Sequence, residues 1–144
     1  IIELKNLLKF LPSKKFKNII IITDPYLGAP CALEAQTMVL MCLADGVSKI
    51  TENIFENRFM HASELNRMGA KIKIIGNKAI VEGNINFKAA ELMATDLRAS
   101  VSLILAALTT KVKSIINRIY HLDRGYEKIE KKLSKCGAQI KRLQ

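Results

Sequence analysis

Polar and apolar side chains trade places through two short runs, Lys71–Ile75 and Lys78–Glu82, on either side of Gly76-Asn77. Period-two patterning predicts a pair of half-buried strands, and Gly-Asn is a two-residue hairpin signal. Other stretches carry a helical pattern. Val101–Leu108 is apolar almost all round, which predicts a helix packed on several sides. His61–Met68 and Gly125–Cys136 are amphipathic, and each is followed or closed by a glycine that can adopt the left-handed conformation of a helix end. Ile19–Ile22 has no alternation and reads as a fully buried strand.

The pattern occurs twice. Gly46–Phe55 aligns with Lys111–Tyr120, Met68–Lys73 with Cys136–Lys141, and the apolar run Ala35–Ala44 with Ser100–Thr109. Two copies of one plan are expected, at about 19–83 and 88–144: buried helix, strand, loop, helix ending at Gly, strand. This is an α/β repeat architecture without a linker or low-complexity stretch.

Composition narrows the class. A chain of 144 residues, 49% hydrophobic and 25% charged, can bury a core and is neither a disordered tail nor a disulfide-stapled miniprotein. The net charge of +10 invites a nucleic-acid or membrane reading, but Lys supplies 17 of the 23 basic residues and is scattered with few aromatics. Abundant Ile, Lys and Asn together suggest compositional drift, so no nucleic-acid partner is expected. Lys14, Lys15 and Lys17 follow Pro12 in a connector and read as a solvated face. The longest apolar runs, Met38–Ala44 and Leu103–Leu108, are well short of the ~20 residues that span a bilayer, so no membrane partner is expected. Cys31, Cys42 and Cys136 have no close spacing, and a reducing cytoplasm is the expected location. Cys42 reads as core. The chain starts Ile1-Ile2-Glu3, as a fragment or processed product would.

Three segments go beyond pattern: Thr51–His61 followed by Glu64–Ala70, then Met93–Ser100, then Asp123–Glu127. In this order and spacing they closely resemble the C-terminal part of the UDP-N-acetylglucosamine 1-carboxyvinyltransferases, of the enolpyruvyl transferase family. The resemblance runs from about Thr23 to the end. It implies an inside-out α/β barrel of two similar domains built of repeated βαβαββ units, of which this chain is an incomplete second domain. The implied reaction adds the 3′-hydroxyl of UDP-N-acetylglucosamine to C2 of phosphoenolpyruvate, and a tetrahedral ketal then expels phosphate. The site lies between the domains and needs no cofactor or metal. A partner chain supplying the first domain is an expected associate.

The resemblance also assigns residues. Arg58 and Arg98 would hold the carboxylate of phosphoenolpyruvate, and Arg124 its phosphate; a guanidinium fork pairs with either group in bidentate fashion. The alternative for any of them is a surface arginine bonded to a loop carboxylate. Asp96 precedes the long apolar helix, so it suits a helix N-cap as well as the family's place beside the reacting atoms. Ile54 matches a position whose backbone contacts the sugar nucleotide, while its side chain reads as strand core. Ala32 stands where the family has the aspartate expected to act on the attacking hydroxyl. Leu27 and Ala29 replace the usual Pro and Phe. Glu34 is nearby, but two residues along a helix turn it about 200° away, which argues against rescue. Cys31 follows Pro30 near a helix start and does not match the family's reactive cysteine; His61 has no second ligand at metal spacing. The alternative is therefore a catalytically inactive remnant or truncated paralogue.

Overall fold

The structure, a computed structural model, describes residues 2–4, 7–9, 15–25 and 28–143. Pro12, Lys14, Tyr26 and Leu27 lie outside the described residues. A small antiparallel pair, β1 (Ile2–Leu4) and β2 (Leu7–Lys9), comes first. The main sheet contains β3 (Ile20–Thr23), β4 (Val47–Glu52), β5 (Lys71–Ile75) and β6 (Lys78–Glu82), in the order β3-β4-β6-β5. β3 and β4 are parallel, which requires a crossover, and α1 (Glu34–Leu43) supplies it. β5 and β6 form the expected hairpin with Ile75 opposite Lys78, and Gly76 takes the positive φ the turn needs. A second parallel pair joins β7 (Glu91–Met93) to β8 (Ile115–Asn117), with α3 (Leu97–Leu108) as its crossover.

The core lies between the helices and one face of the main sheet. Met38 and Cys42 of α1, Leu65 of α2 (His61–Arg67), Ile50, Val81 and Leu103 are all fully buried there. α3 packs on α1, on α2 and on α4 (Tyr120–Asp123), which explains why it is apolar around its circumference. Burial pushes the Cys42 thiol up to about 12, as a core cysteine requires. Among the described residues, no helix is long and apolar enough to cross a membrane.

Two expectations need correction. Ile19–Ile22 is not a fully buried strand: Ile20 is 74% exposed and Ile22 48%, whereas Ile21 packs on the core. The helices cover only one face of the sheet, so β3 alternates although its residues do not. The second copy also departs from the plan. The helix expected at Gly125–Cys136 is confined to α5 (Ile129–Lys135), with Lys128 in the left-handed region before it, and the short α4 ends before Gly125. The segment 138–143 forms no strand. A strand needs a neighbour for its backbone groups, and Arg142 pairs instead with Asp123 at 2.6 Å and with Glu130 at 3.5 Å.

Candidate functional site

Parallel strands deliver their following loops to one edge of a sheet, and ligands in α/β proteins gather at such carboxyl ends. Here the loop after β3 leads through a 3-10 turn at Cys31–Leu33 into α1. The loop after β4 leads through a second turn at Arg58–Met60 into α2. β7 leads through Asp96 into α3. The loop 124–126 closes on the same end. A Cβ on Gly125 would lie 2.8 Å from Leu97 Cδ2, and the Tyr126 hydroxyl accepts a 3.5 Å hydrogen bond from Gln36 Nε2 on α1.

Arg58 is half-buried, and its guanidinium carbon stands 3.9 Å over the ring of Phe55. One terminal nitrogen, Nη1, is buried with no hydrogen-bond partner among the described residues. Arg58 also lines a groove of about 740 Å³ with Ile54, Phe55, Glu56 and Asn77. The loop under that groove is shaped by the buried Glu52, whose Oε1 accepts from the N–H groups of Ile54 (2.8 Å) and Phe55 (3.0 Å). β4 has ended by Glu52, so Ile54 is a half-buried loop residue and not the strand core expected of it.

Asp96 is the N-cap of α3. Its carboxylate accepts from the N–H groups of Ala99 (3.2 Å) and Arg98 (3.3 Å), and Arg98 Nε lies 3.7 Å from Oδ2. Replacing Asp96 by Ala should cost about 1 kcal/mol of stability, whereas Asn or Ser should retain most of it. Thermal melting of the three variants checks this, and equal losses in all three would remove the capping role. Arg124 is exposed, just past α4. Cys31 is half-buried in its turn. Among the described residues, no three His, Cys, Asp or Glu side chains are grouped as metal ligands.

A residue that the sequence reasoning set aside lies nearby. Ala32 is exposed, and the rotation separating it from Glu34 turns the Glu34 side chain inward, where it is 4% exposed. Its Oε1 lies 3.6 Å from Nε2 of the buried His61. Burial, with the charge of Glu52, pushes the Glu34 carboxyl up to about 8; Arg58 opposes this and Asp96 adds to it. Burial pushes His61 down to about 4, against the pull of Asp96 and a bond to the Arg58 backbone. The available signal was a carboxylate at the first position of a helix, α1, that carries no other charged residue.

Relatives give the arrangement a context. The chain is 70% identical over 139 residues to the UDP-N-acetylglucosamine 1-carboxyvinyltransferase of Pelagibacter ubique, covering 96% of this chain and 33% of that protein. The enzyme of the same name from Rickettsia felis is 55% identical over 143 residues, covering 99% and 34%. The chain thus spans about a third of the curated relatives it matches. Among solved structures, the enolpyruvyl transferase NikO from Streptomyces tendae superposes with a TM-score of 0.86 at 29% identity, over 92% of this chain and 31% of its own. The EPSP synthase of Acinetobacter baumannii, at 16% identity and a TM-score of 0.50 over 59% of this chain and 21% of its own, shares the fold. With residues 3–133 matching its sequence pattern, the chain belongs to the EPSP synthase (3-phosphoshikimate 1-carboxyvinyltransferase) family.

Proposed function

We propose that this chain carries the C-terminal half-site for transfer of the enolpyruvyl group from phosphoenolpyruvate to the 3′-hydroxyl of UDP-N-acetylglucosamine. That reaction is the first committed step of peptidoglycan precursor synthesis. The supporting observation is Arg58: a guanidinium fixed over Phe55, with one buried N–H donor unpartnered, at the edge where the loops converge. A buried unsatisfied donor is costly, and an incoming carboxylate removes that cost. In this reading Arg58 and Arg98 grip the carboxylate of phosphoenolpyruvate, and Arg124 closes on its phosphate. The Ile54 backbone meets the sugar nucleotide. Asp96, already holding α3 and Arg98, stands beside the reacting carbon. The hydroxyl oxygen adds to C2 as it gives up its proton and C3 gains one; the ketal then loses a proton from the C3 methyl and expels phosphate.

Positioning both substrates provides much of the rate, and one half-site cannot do so. The 144-residue chain with both substrates should therefore release no phosphate above background. Ala32 supports a second reading, an inactive remnant, because its side chain can neither accept a proton nor orient the hydroxyl. Supplying the first domain of the Pelagibacter relative in trans separates the two. The enzyme reading expects slow phosphate release that Ala32→Asp raises roughly 10²–10⁴-fold. No release even with Ala32→Asp favours the remnant, and release by the isolated chain overturns the half-site.

A further inference from the structure

We propose that Glu34 and His61 form a neutral, proton-sharing pair that positions Arg58 and leaves it free for an anion only while the shared proton is in place. This rests on reading Arg58 as an anion-binding residue. Glu34 comes from α1 and His61 from α2, and the two residues are 5% and 3% exposed. Glu34 Oε1 and His61 Nε2 are 3.6 Å apart, and neither has a hydrogen-bond partner among the described residues. The imidazole is also bonded to the backbone of Arg58, three residues earlier. The Arg58 backbone favours the protonated imidazole, as a carbonyl acceptor does, and Nε2 is unpartnered; the proton therefore belongs on the other ring nitrogen, which leaves a lone pair on Nε2. A lone pair facing a carboxylate is repulsive. With one proton between them, a small side-chain rotation closes a hydrogen bond from Glu34 to His61.

The surroundings favour that proton. The charged groups facing Glu34 are Glu52 from the end of β4, Arg58 from the turn before α2, and Asp96 from the cap of α3. Two carboxylates oppose its ionisation and one guanidinium favours it. When Glu34 does ionise, Arg58 is its nearby counter-charge, and a guanidinium drawn to a buried carboxylate is withdrawn from a ligand. Glu34 and His61 are thus positioning residues that act through Arg58. The site takes up a proton at Glu34 whenever an anion binds above the carboxyl's pKa.

The test combines titration by NMR with ligand binding on the full chain. Carbon-13 shifts of the Glu34 carboxyl and nitrogen-15 shifts of His61 are followed from pH 5 to 10. Phosphoenolpyruvate affinity is measured by calorimetry at pH 7, 8 and 9 for the parent, Glu34→Gln and Glu34→Ala. The carboxyl should titrate near 8, with His61 protonated on the nitrogen that faces Arg58. Affinity of the parent should fall roughly tenfold per pH unit above that value. Glu34→Gln donates an amide N–H to Nε2 and should keep both the His61 tautomer and the pH 7 affinity, but lose the pH dependence. Glu34→Ala should lose the tautomer preference and bind more weakly at pH 7. A carboxyl titrating near its ordinary value, a proton on His61 Nε2, or an unchanged pH dependence in Glu34→Gln would overturn the proposal. No binding by the parent at pH 7 removes the anion-site reading and the gating with it, whereas the NMR titration still decides whether the pair exists.

Discussion

Replacing Gly83 by alanine should destabilise the chain severely, although it adds only a methyl group. Gly83 follows β6 where it meets the turn between α1 and β4. A Cβ built there would fall 1.8 Å from the carbonyl oxygen of Ala44 and 2.9 Å from that of Gly46. Both obstacles are backbone, so no side-chain rotation relieves them. The strand end would have to withdraw, and three bonds hold it in place: Gly83 N–H to Gly46 (2.8 Å), Asn84 N–H to Ala44 (2.9 Å) and Ile85 N–H to Cys42 (3.1 Å). Losing their geometry together with the packing strain should cost on the order of 4 kcal/mol, a large share of the roughly 5–15 kcal/mol that stabilises a typical domain. Gly125 provides the control. Its added Cβ meets only the Leu97 side chain, at 2.8 Å from Cδ2, and that side chain can turn aside. Urea denaturation of Gly83→Ala and Gly125→Ala should show a much larger midpoint shift for the first. Equal shifts would mean that the strand end and the turn do not approach so closely.

Stability should fall by about 2 kcal/mol as pH rises from 6.5 to 8, a slope set by Glu34. The folded chain holds the Glu34 proton up to about 8, against 4.5 for the free group, so its neutral form favours folding at low pH. That contribution is lost between the two values, at roughly 1.4 kcal/mol per pH unit. His61 acts in the opposite sense. It stays neutral in the fold down to about 4, against 6.5 when free, so its contribution is complete above 6.5 and is lost as pH falls. Between 4.5 and 6.5 the two slopes cancel and these groups leave a plateau. Above 6.5 only the Glu34 slope remains. Glu34→Gln should be flat across 6.5 to 8, and urea midpoints at the two ends measure the difference. The same decline in parent and variant would assign it to other groups.

Some of this protein is written in short-range pattern. The hairpin at Gly76-Asn77 and the helix ending before Gly69 depend on residues within a few positions of one another, and they form where the pattern places them. The apolar run around Leu103 likewise becomes the central helix, because a segment without a polar face must be covered on all sides. Ile20 shows the limit. Four consecutive isoleucines carry no information about which face is covered, and the helices lie on one side only. Segment 138–143 shows it again: its similarity to a strand elsewhere in the chain could not provide a neighbouring strand.

The candidate site divides in the same way. The motifs carrying Arg58, Asp96, Arg98 and Arg124 stand out in the sequence because each is a contiguous run of residues. For Asp96, sequence and resemblance offered a cap and a place beside the reacting atoms; its hydrogen bonds to the first turn of α3 establish the cap, and the two roles are compatible. Glu34 and His61 are 27 positions apart, and neither belongs to a recognisable pair. Only the tertiary fold, which brings the first residue of α1 to the first residue of α2, removes both from water and sets them 3.6 Å apart. The physical reason is that periodicity and capping act over a few residues of chain, whereas desolvation and charge coupling depend on everything that surrounds a group. The sequence therefore determined which side chains this protein could use, and the tertiary structure decided which of them are buried together and hold a proton.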